Sequence, residues 1–294
     1  MGPGLDVDQG LSRRLATFFD GRPRLQAGAL LAGPAGWLVI GYLGSLAVLL
    51  VAAFWTVDPL SGEVLQGFSL GNLEILFDEP VYRDIVARTV VIAALVTLTD
   101  AVLAFPIAFY MAKLASRRSK AVLLIAVLLP LWSSYLVKVL SWRTMLSGGG
   151  IVDWALQPLG LHGPGYGNTA VWLVMSYLWL PYMVLPIYAG LERIPNSLIS
   201  ASEDLGAAPF TTFRRVILPL AFPAVVAGSI FTFALTLGDY ITPKLVSNNQ
   251  FIGNVIFNNI SNNLPLASAL ALVPIVVMVA YLLVARKLGA FEHI

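Results

Sequence analysis

The sequence predicts an all-α polytopic membrane protein with six transmembrane helices. Hydrophobic residues make up 58% of the 294-residue chain, charged residues make up 12%, and the mean hydropathy is +0.81, a balance far from that of soluble domains. A transmembrane helix needs about 20 consecutive, mainly apolar residues, and six stretches of this kind are present. In chain order they are 33–55, 86–111, 121–142, 169–191, 220–241 and 265–285.

Prolines interrupt several of these stretches, among them Pro106, Pro130 and Pro181. Proline is tolerated inside transmembrane helices where neighbouring helices satisfy the backbone groups that it frees. The connections between the stretches are short and polar. The sequence therefore predicts one transmembrane domain over residues 31–294, preceded by an N-terminal tail of residues 1–30.

Positive charges fall mainly on one side of the predicted bundle. Of the 18 lysines and arginines, thirteen lie in the N-terminal tail, in the second and fourth connections and at the C-terminal end, while five lie in the outer connections or within the spans. Because Lys and Arg are enriched on the cytoplasmic side of a membrane, we expect both termini and the fourth connection to be cytoplasmic. The formal net charge of +2 then reflects topology and predicts no nucleic-acid partner.

The N-terminal segment does not have the pattern of a cleavable signal peptide. Its first apolar stretch is too long, and no small-residue cleavage site follows it. We expect residues 1–27 to form a basic cytoplasmic tail, with Phe18 and Phe19 resting on membrane lipid.

The sequence also lacks the features of an enzyme. It has no cysteine, which excludes disulfides and cysteine-ligated metals, and it has no Gly-x-x-x-x-Gly-Lys-Ser/Thr phosphate loop. His162 and His293 lie far apart and outside the spans, which argues against a histidine-based triad or a two-histidine metal site. We expect no cofactor on this chain and no ATP hydrolysis by that route.

The most informative segment is the polar connection between the fourth and fifth stretches, residues 196–219. Gly206 can adopt the positive φ that ends a helix, and the residues on its two sides predict two short helices. In the second of these, Phe210 and Phe213 share a face, and Pro219 closes the segment before the fifth span. Such a segment can seat in a groove of a cytoplasmic partner. The alternative is an amphipathic helix on the membrane surface.

This segment resembles the coupling loop of the permease subunits of bacterial ABC importers, whose pattern is Glu-Ala-Ala, three residues, Gly, nine residues and Ile-x-Leu-Pro. Here Gly206 is followed by nine residues and then by Val216-Ile217-Leu218-Pro219, whereas Ser200-Ala201-Ser202 replaces the opening Glu-Ala-Ala. Glu203 and Asp204 are the candidates to replace the missing glutamate. The residues that the resemblance assigns to ATPase coupling are Ser200, Ala201, Ser202, Glu203, Asp204, Gly206, Ala207, Phe210, Arg214, Arg215 and Pro219.

Residues 80–290 resemble one branch of this family, the spermidine/putrescine importers, and in particular their first permease subunit. The matching segments are 105–110 (Phe-Pro-Ile-Ala-Phe-Tyr), 129–138 (Leu-Pro-Leu-Trp-Ser-Ser-Tyr-Leu-Val-Lys) and 237–243 (Leu-Gly-Asp-Tyr-Ile-Thr-Pro). Two positions depart from that branch: Lys138 stands where an arginine is common, and Asp153 stands where an asparagine is common.

The resemblance implies a division of labour between subunits. Two permease subunits would pair, each with a core of five helices and a peripheral first helix. Two copies of a cytoplasmic ATPase, which hold the ATP and magnesium, would grip the coupling loops, and an external binding protein would deliver the substrate. The expected location is the bacterial inner membrane, and the expected cargo is a polyamine.

Three ionisable residues stand out within the predicted spans, namely Asp100, Lys138 and Asp239. Charges inside a membrane are functional candidates because burying them there is costly. Asp239 is the first candidate for the substrate pathway, since a cationic amine is bound by a carboxylate and by aromatic faces, and Tyr240 is adjacent. The alternative is that Asp239 caps a helix or pairs with a charge near the interface.

Lys138 and Asp100 are secondary candidates for the pathway. We expect Lys138 to pair with Asp100, with Asp239 or with a carboxylate of a partner subunit, or else to reach outward. Trp132 and Tyr135 are aromatic candidates on the same predicted helix, although membrane belts and helix packing also use aromatic residues. An acidic pathway favours a cation, whereas a pathway lined by Lys138 favours an anion.

Other functions stay open at this point. Within the family the cargo can be another organic cation, an amino-acid-like compound or an inorganic ion. A self-contained secondary transporter predicts an internal repeat with paired broken helices, and the sequence shows none. A membrane-embedded hydrolase needs a base close to its nucleophile, and the predicted spans contain no histidine.

Overall fold

The computed structural model describes residues 23–287 of the chain. This part is almost entirely helical, and it divides after Ala52 into two compact units. The predictions for residues 1–22, which include Phe18 and Phe19, and for His293 concern residues outside this range.

The first unit contains one candidate span. Helix α1 (Pro23–Trp37) continues through a π-helical turn (Leu38–Leu43) into α2 (Gly44–Ala52), and Leu30–Ala52 is long and apolar enough to cross a membrane. This helix begins and ends before the predicted bounds of 33 and 55. The tail predicted over residues 1–30 therefore overlaps a helix from Pro23 onward.

The second unit contains the other spans and several short elements. In chain order these elements are β1 (Thr56–Val57), β2 (Val64–Leu65), α3 (Gly71–Asp78), α4 (Pro80–Phe109) with a π-helical turn (Tyr110–Leu114), α5 (Arg117–Trp132), α6 (Tyr135–Leu146), α7 (Ile151–Leu156), a 3-10 turn (Gln157–Leu159), α8 (Asn168–Arg193), α9 (Asn196–Asp204), α10 (Pro209–Thr212) with a π-helical turn (Phe213–Ile217), α11 (Leu218–Gly238), α12 (Ile241–Val246), α13 (Ile252–Asn259) and α14 (Leu264–Lys287).

Within residues 23–287, five helices are long and apolar enough to cross a membrane, and the bent pair α5–α6 makes six when it is counted as one span. This confirms the predicted fold class. The two-residue strands β1 and β2 pair antiparallel before α3 and are a small addition to an otherwise helical unit.

The third span is not the single helix that the sequence predicted over residues 121–142. Helices α5 and α6 meet at an angle of 92°, and Ser133 between them is extended. The Ser133 hydroxyl donates to the Pro130 carbonyl at 2.9 Å. Pro130 has no N–H and cannot bond to the carbonyl four residues earlier, which weakens the helix around it. The carbonyl of Pro130 itself loses its helical partner where α5 ends, and the Ser133 hydroxyl offers it another hydrogen bond. The break brings Tyr135, the first residue of α6, to the C-terminal end of α11.

Helices α4, α8 and α11 pack against one another at the centre of the second unit. Glycines allow α8 and α11 to approach closely: a Cβ on Gly190 would lie 2.3 Å from the Cβ of Ala224, and one on Gly228 would lie 2.7 Å from Met183 Sδ. In lipid, where no hydrophobic force drives helices together, small residues of this kind allow the van der Waals contact that holds them.

The fifth span begins earlier than predicted. The chain is helical without interruption from Pro209 through the turn Phe213–Ile217 to Gly238. The prediction that Pro219 closes the loop was therefore wrong, because Pro219 lies inside this helix. Proline cannot donate the i→i−4 hydrogen bond, and a local π-helical turn is one of the adjustments that accommodates it in a membrane helix.

Candidate functional site

The carboxylate of Asp239 lies at the C-terminal end of α11, where four groups donate hydrogen bonds to it. Its Oδ2 atom accepts from the Tyr135 hydroxyl at 2.5 Å and from Thr242 Oγ1 at 2.6 Å. Its Oδ1 atom accepts from the backbone N–H of Ile241 at 2.9 Å and of Thr242 at 3.1 Å. Asp239 therefore caps the start of α12, as the alternative interpretation expected, and it also binds a side chain of α6.

An open cleft of about 400 Å³ adjoins this carboxylate. Its walls come from α6, α8 and the end of α11. Three of the residues predicted for a substrate pathway meet there, namely Tyr135, Asp239 and Tyr240. Trp179 completes the aromatic lining, and its ring stacks on that of Tyr135 with centroids 6.0 Å apart. The cleft thus combines one carboxylate with three aromatic rings.

A lysine of the chain itself shows how the neighbouring rings accept an ammonium group. The ring of Tyr240 stacks on Phe257 with centroids 4.5 Å apart. Lys244 Nζ lies 4.8 Å from the centroid of the same Phe257 ring. This distance is within the range of a cation–π contact.

The other predicted pathway residues do not line this cleft. Trp132 is 91% exposed at the end of α5, on the other side of the break from Tyr135. Lys138 Nζ donates to the Pro130 carbonyl at 2.9 Å. Asp100 is completely buried in α4, and neither of its carboxylate oxygens has a hydrogen-bond partner within residues 23–287.

The ion pair expected between Lys138 and Asp100 or Asp239 is absent from the described part of the chain. The reason is the break in the third span, because Lys138 bonds back across the bend to the last turn of α5. In a straight helix the Pro130 carbonyl would be less accessible to this side chain.

The sequence analysis missed two residues of the site, Thr242 and Trp179. Thr242 is fully buried and binds Asp239 through both its hydroxyl and its backbone N–H. The local pattern Asp239-x-x-Thr242-Pro243 is a helix-start signal that indicates the cap. No comparable signal points to Trp179, because its contact with Tyr135 joins two helices that are distant in the chain.

A second groove, of about 460 Å³, lies between α8 and α11, near the C-terminal end of α8 and the N-terminal end of α11. Its lining includes the charged residue Arg193 and small residues such as Gly190 and Ala224. Trp179, which lines the cleft at Asp239, also lies on α8. It precedes Pro186, Gly190 and Arg193 of the groove by 7, 11 and 14 residues. At 3.6 residues per turn, these positions lie on one face of the helix.

The predicted coupling loop forms a helix end followed by a helix start. Gly206 has φ +77°, which confirms the expected positive φ. The N–H of Gly206 donates to the Glu203 carbonyl at 2.8 Å, and the N–H of Ala207 donates to the Ser202 carbonyl at 3.1 Å. These two bonds are those of a Schellman motif. Ser202 Oγ lies 3.0 Å from Thr212 Oγ1 and links α9 to α10.

Most of the predicted coupling residues face outward from this loop. Phe210 is 71% exposed, while Phe213 packs edge-on against Phe105 of α4 at 5.5 Å. The expectation that Phe210 and Phe213 form one face is only partly met, since they stack at 6.5 Å but only Phe213 reaches the core. Also exposed are Ser200, Ala201, Glu203, Asp204, Gly206, Arg214, Arg215 and Pro219, whereas Ser202 and Ala207 are half-buried.

Residues 85–290 match the family model described as "binding-protein-dependent transport system inner membrane component". The chain belongs to this family. Among its relatives is the inner membrane ABC transporter permease protein YdcU of Escherichia coli, which is 44% identical over 297 residues covering 95% of each chain. The spermidine/putrescine transport system permease protein PotB of Escherichia coli is 31% identical over 258 residues, which cover 85% of this chain and 92% of PotB.

Solved structures of ABC importers share the fold. A bacterial alginate ABC transporter in complex with an alginate-bound periplasmic protein superposes with a TM-score of 0.72 at 16% identity, over 94% of this chain and 97% of that chain. The inward-facing MetNI methionine transporter gives a TM-score of 0.55 at 16% identity. The chain is therefore an ABC importer permease, a multi-pass membrane transport subunit. This identification favours the importer over the secondary-transporter and hydrolase alternatives.

Proposed function

We propose that this permease forms half of the translocation pathway of an ATP-driven importer and that its outer cleft receives an organic cation. We further propose that the cation is a polyamine such as spermidine or putrescine, delivered by an external binding protein. The observation that carries this proposal is the meeting of the Asp239 carboxylate with the rings of Tyr135, Trp179 and Tyr240 in one cleft.

The hydrogen bonds of Asp239 leave its charge in place. All four donors are neutral, because they are two hydroxyl groups and two backbone N–H groups. They orient the carboxylate without cancelling its charge, so a cation in the cleft meets a fixed negative group beside aromatic faces.

The positions of two lysines agree with a cationic cargo. Lys138 is held by the Pro130 carbonyl and does not line the cleft, so the feature that would favour an anion is missing there. Lys244 holds its ammonium group over Phe257, and neither of these residues lines the cleft.

The relatives support a polyamine without fixing it. PotB is a spermidine/putrescine permease by name, whereas the name of YdcU states no cargo. Another organic cation would use the same carboxylate and rings, and it is the second candidate for the cargo.

The exposed loop between α8 and α11 is the proposed contact with the energy source. We infer that two copies of a cytoplasmic ATPase, which bind the ATP and magnesium, hold this loop and its equivalent on a second permease subunit. Both termini would then be cytoplasmic and the cleft at Asp239 would face the outside of the inner membrane. The exposed side chains on both sides of Gly206 support this role.

ATP hydrolysis by the reconstituted transporter with its binding protein tests the cargo. Spermidine, putrescine and neutral or acidic amino acids would be compared in the unaltered protein and in Asp239→Asn. Asparagine caps helices as well as aspartate does, so this substitution removes the charge and keeps the cap. Asp78→Asn, an exposed outer residue at the end of α3, is the matched control.

We expect spermidine or putrescine to stimulate the unaltered protein and Asp78→Asn but not Asp239→Asn. Stimulation by amino acids alone would discard the polyamine, and an unchanged response of Asp239→Asn would discard the role of this carboxylate.

A further inference from the structure

A lysine at the cytoplasmic end of α4 holds the junction between α8 and the coupling loop. Lys113 Nζ donates to the carbonyl of Ile194 at 2.6 Å and lies 3.2 Å from Asn196 Oδ1. Ile194 follows the last residue of α8, and Asn196 is the first residue of α9. One side chain therefore binds both sides of the hinge through which the loop would have to move.

The chemistry of this contact suits a fixed joint. The carbonyl groups at the end of a helix have no partner in the helix and carry partial negative charge, so a lysine there is stabilised. Ile194 is buried among the residues that pack α4 against α8, and Lys113 lies in the π-helical turn Tyr110–Leu114. Turns of this kind occur frequently at functional sites.

A second bond ties the same end of α8 to the next helix. Lys120, in the first turn of α5, pairs with Glu192 of α8 at 2.7 Å, and its Nζ lies 5.5 Å from the Tyr188 ring. Arg118, on the same turn of α5, is exposed. We call Lys113, Lys120 and Glu192 together the hinge clamp.

The hinge clamp connects the loop to the outer cleft through α5. At its far end, α5 bends into α6, and Lys138 bonds across this bend to the Pro130 carbonyl. The first residue of α6 is Tyr135, which binds Asp239. A displacement of the hinge can thus pass along α5 to the cleft, because the bond of Lys138 to Pro130 holds the bend between α5 and α6.

We propose that the hinge clamp makes the coupling loop and α5 move together, so that ATP-driven displacement of the loop changes the cleft at Asp239. Lys113 is a positioning residue in this proposal, because it acts through the hinge and does not touch the cargo. The proposal rests on the proposed coupling role of the loop. Coupling between two sites requires an element that both of them bias, and the clamp with α5 is that element.

The natural absence of cysteine allows a direct test that does not depend on the cargo. A single cysteine would be introduced at Ala234, which lines the cleft, and its maleimide labelling rate would be measured on this chain in the assembled transporter. The rates without nucleotide and with ATP and orthovanadate would be compared. The same measurement would follow in Lys113→Met, Lys113→Arg, Lys120→Glu, Glu192→Lys and the double exchange Lys120→Glu/Glu192→Lys, with Arg118→Gln as control.

With the clamp intact, we expect ATP and vanadate to change the labelling rate by roughly fivefold or more, as sites coupled by binding energy do. Lys113→Met and each single exchange should lose this response, while Lys113→Arg, the double exchange and Arg118→Gln should retain it. Thermal unfolding of each variant identifies any that merely fail to fold, and the rescue by the double exchange does not depend on any single variant.

Two results overturn the proposal, and they can be told apart. An undiminished response in Lys113→Met and in both single exchanges would show that the clamp does not carry the signal, and the coupling role of the loop would stand. No response with the clamp intact would remove the coupling role itself, and the clamp proposal with it.

Discussion

The outer cleft and the coupling loop are held together in different ways. In the cleft, Tyr135 and Asp239 are 104 residues apart in the chain and bind through their side chains. In the loop, the bonds that shape the turn at Gly206 join backbone groups of near neighbours, and the side-chain link from Ser202 to Thr212 spans only 10 residues.

This difference agrees with the function that we propose for each region. The side chains of the cleft are already bound to one another, so its charge and its rings have fixed positions, as recognition of a solute requires. The loop obtains its shape from the backbone and leaves side chains such as Phe210 and Arg214 exposed. Exposed side chains on a turn of fixed shape suit contact with a partner protein.

The largest loss of stability is expected at the contact of α8 with α11, the two helices that the loop connects and that also line the cleft. In Gly190→Val, the new Cβ would lie 2.3 Å from the Cβ of Ala224, which is attached to the backbone and cannot swing away. Overpacking of this kind costs about 3 kcal/mol, so thermal unfolding of the purified protein should occur at clearly lower temperature.

The matched control for this prediction is Gly238→Ala near the end of α11, where an added Cβ meets nothing within 4 Å. Alanine favours helices over glycine by about 1 kcal/mol, so this variant should be as stable as the unaltered protein or more so. Equal stability of Gly190→Val and Gly238→Ala would contradict the close approach of the two helices.

The membrane spans could be predicted from the sequence because each of them is a local run of apolar residues. A run of apolar residues with few charges was enough to find every span, and most of them to within several residues, whereas the fifth span begins at Pro209 and not at residue 220. The break at Ser133 and Ser134 left a weaker record, because prolines also lie inside the unbroken helices α4 and α8, at Pro106 and Pro181, and neighbouring groups in a membrane can satisfy the carbonyl that a proline frees. Contacts between helices decide between these outcomes, and they are not written in the local pattern.

The second-largest effect is expected in the cleft, on removal of one bond to Asp239. Thr242→Val keeps the shape of the side chain and removes the hydroxyl that lies 2.6 Å from Asp239 Oδ2. A hydrogen bond to a charged group contributes about 1.5–3 kcal/mol, so the free energy of unfolding should fall by about 1.5 kcal/mol. We also expect weaker stimulation of ATP hydrolysis by the cargo.

Thr232→Val is the control for this prediction. Thr232 is also fully buried, but its hydroxyl bonds only to carbonyl groups of its own helix. Thermal unfolding and ATP hydrolysis would be measured for both variants. A loss in Thr232→Val as large as that in Thr242→Val would show that the bond to Asp239 has no special role.

The candidate site could be predicted only in part for the same reason. Asp239 and Tyr240 were found because a carboxylate beside an aromatic residue in a span is unusual. Asp100 and Lys138 are equally unusual, yet the structure leaves Asp100 buried without a bond in the described residues and turns Lys138 toward Pro130. Charge in a span marks a candidate, but only the packing of the helices decides which charges reach a cleft.

The smallest effect on stability is expected from a change of pH. It should depend on Asp153 and not on the turn at Gly206. In the first turn of α7, the backbone N–H groups of Gly163 and Gly149 hold the pKa of the Asp153 carboxyl below its usual range. Because this folded-state pKa is lowered, the stabilisation is complete above the unfolded pKa of about 3.9 and is lost as the pH falls through the folded value.

Thermal unfolding measured between about pH 6 and pH 3 would show this contribution as a slightly larger loss of stability in the unaltered protein than in Asp153→Asn. The turn at Gly206 is held by backbone groups that do not titrate, so Gly206→Ala should shift stability equally at every pH. Identical pH profiles for Asp153→Asn and the unaltered protein would contradict the role of these two bonds.

The most direct test of the two-region account is the amount of spermidine imported per ATP hydrolysed in proteoliposomes that contain the complete transporter. Gly206→Pro cannot adopt φ +77° and loses the N–H that binds Glu203. We predict that it inserts normally but hydrolyses ATP without responding to cargo, whereas Asp239→Asn keeps its basal hydrolysis and loses only the response to spermidine. Cargo-stimulated hydrolysis at the unaltered level in Gly206→Pro would contradict the account.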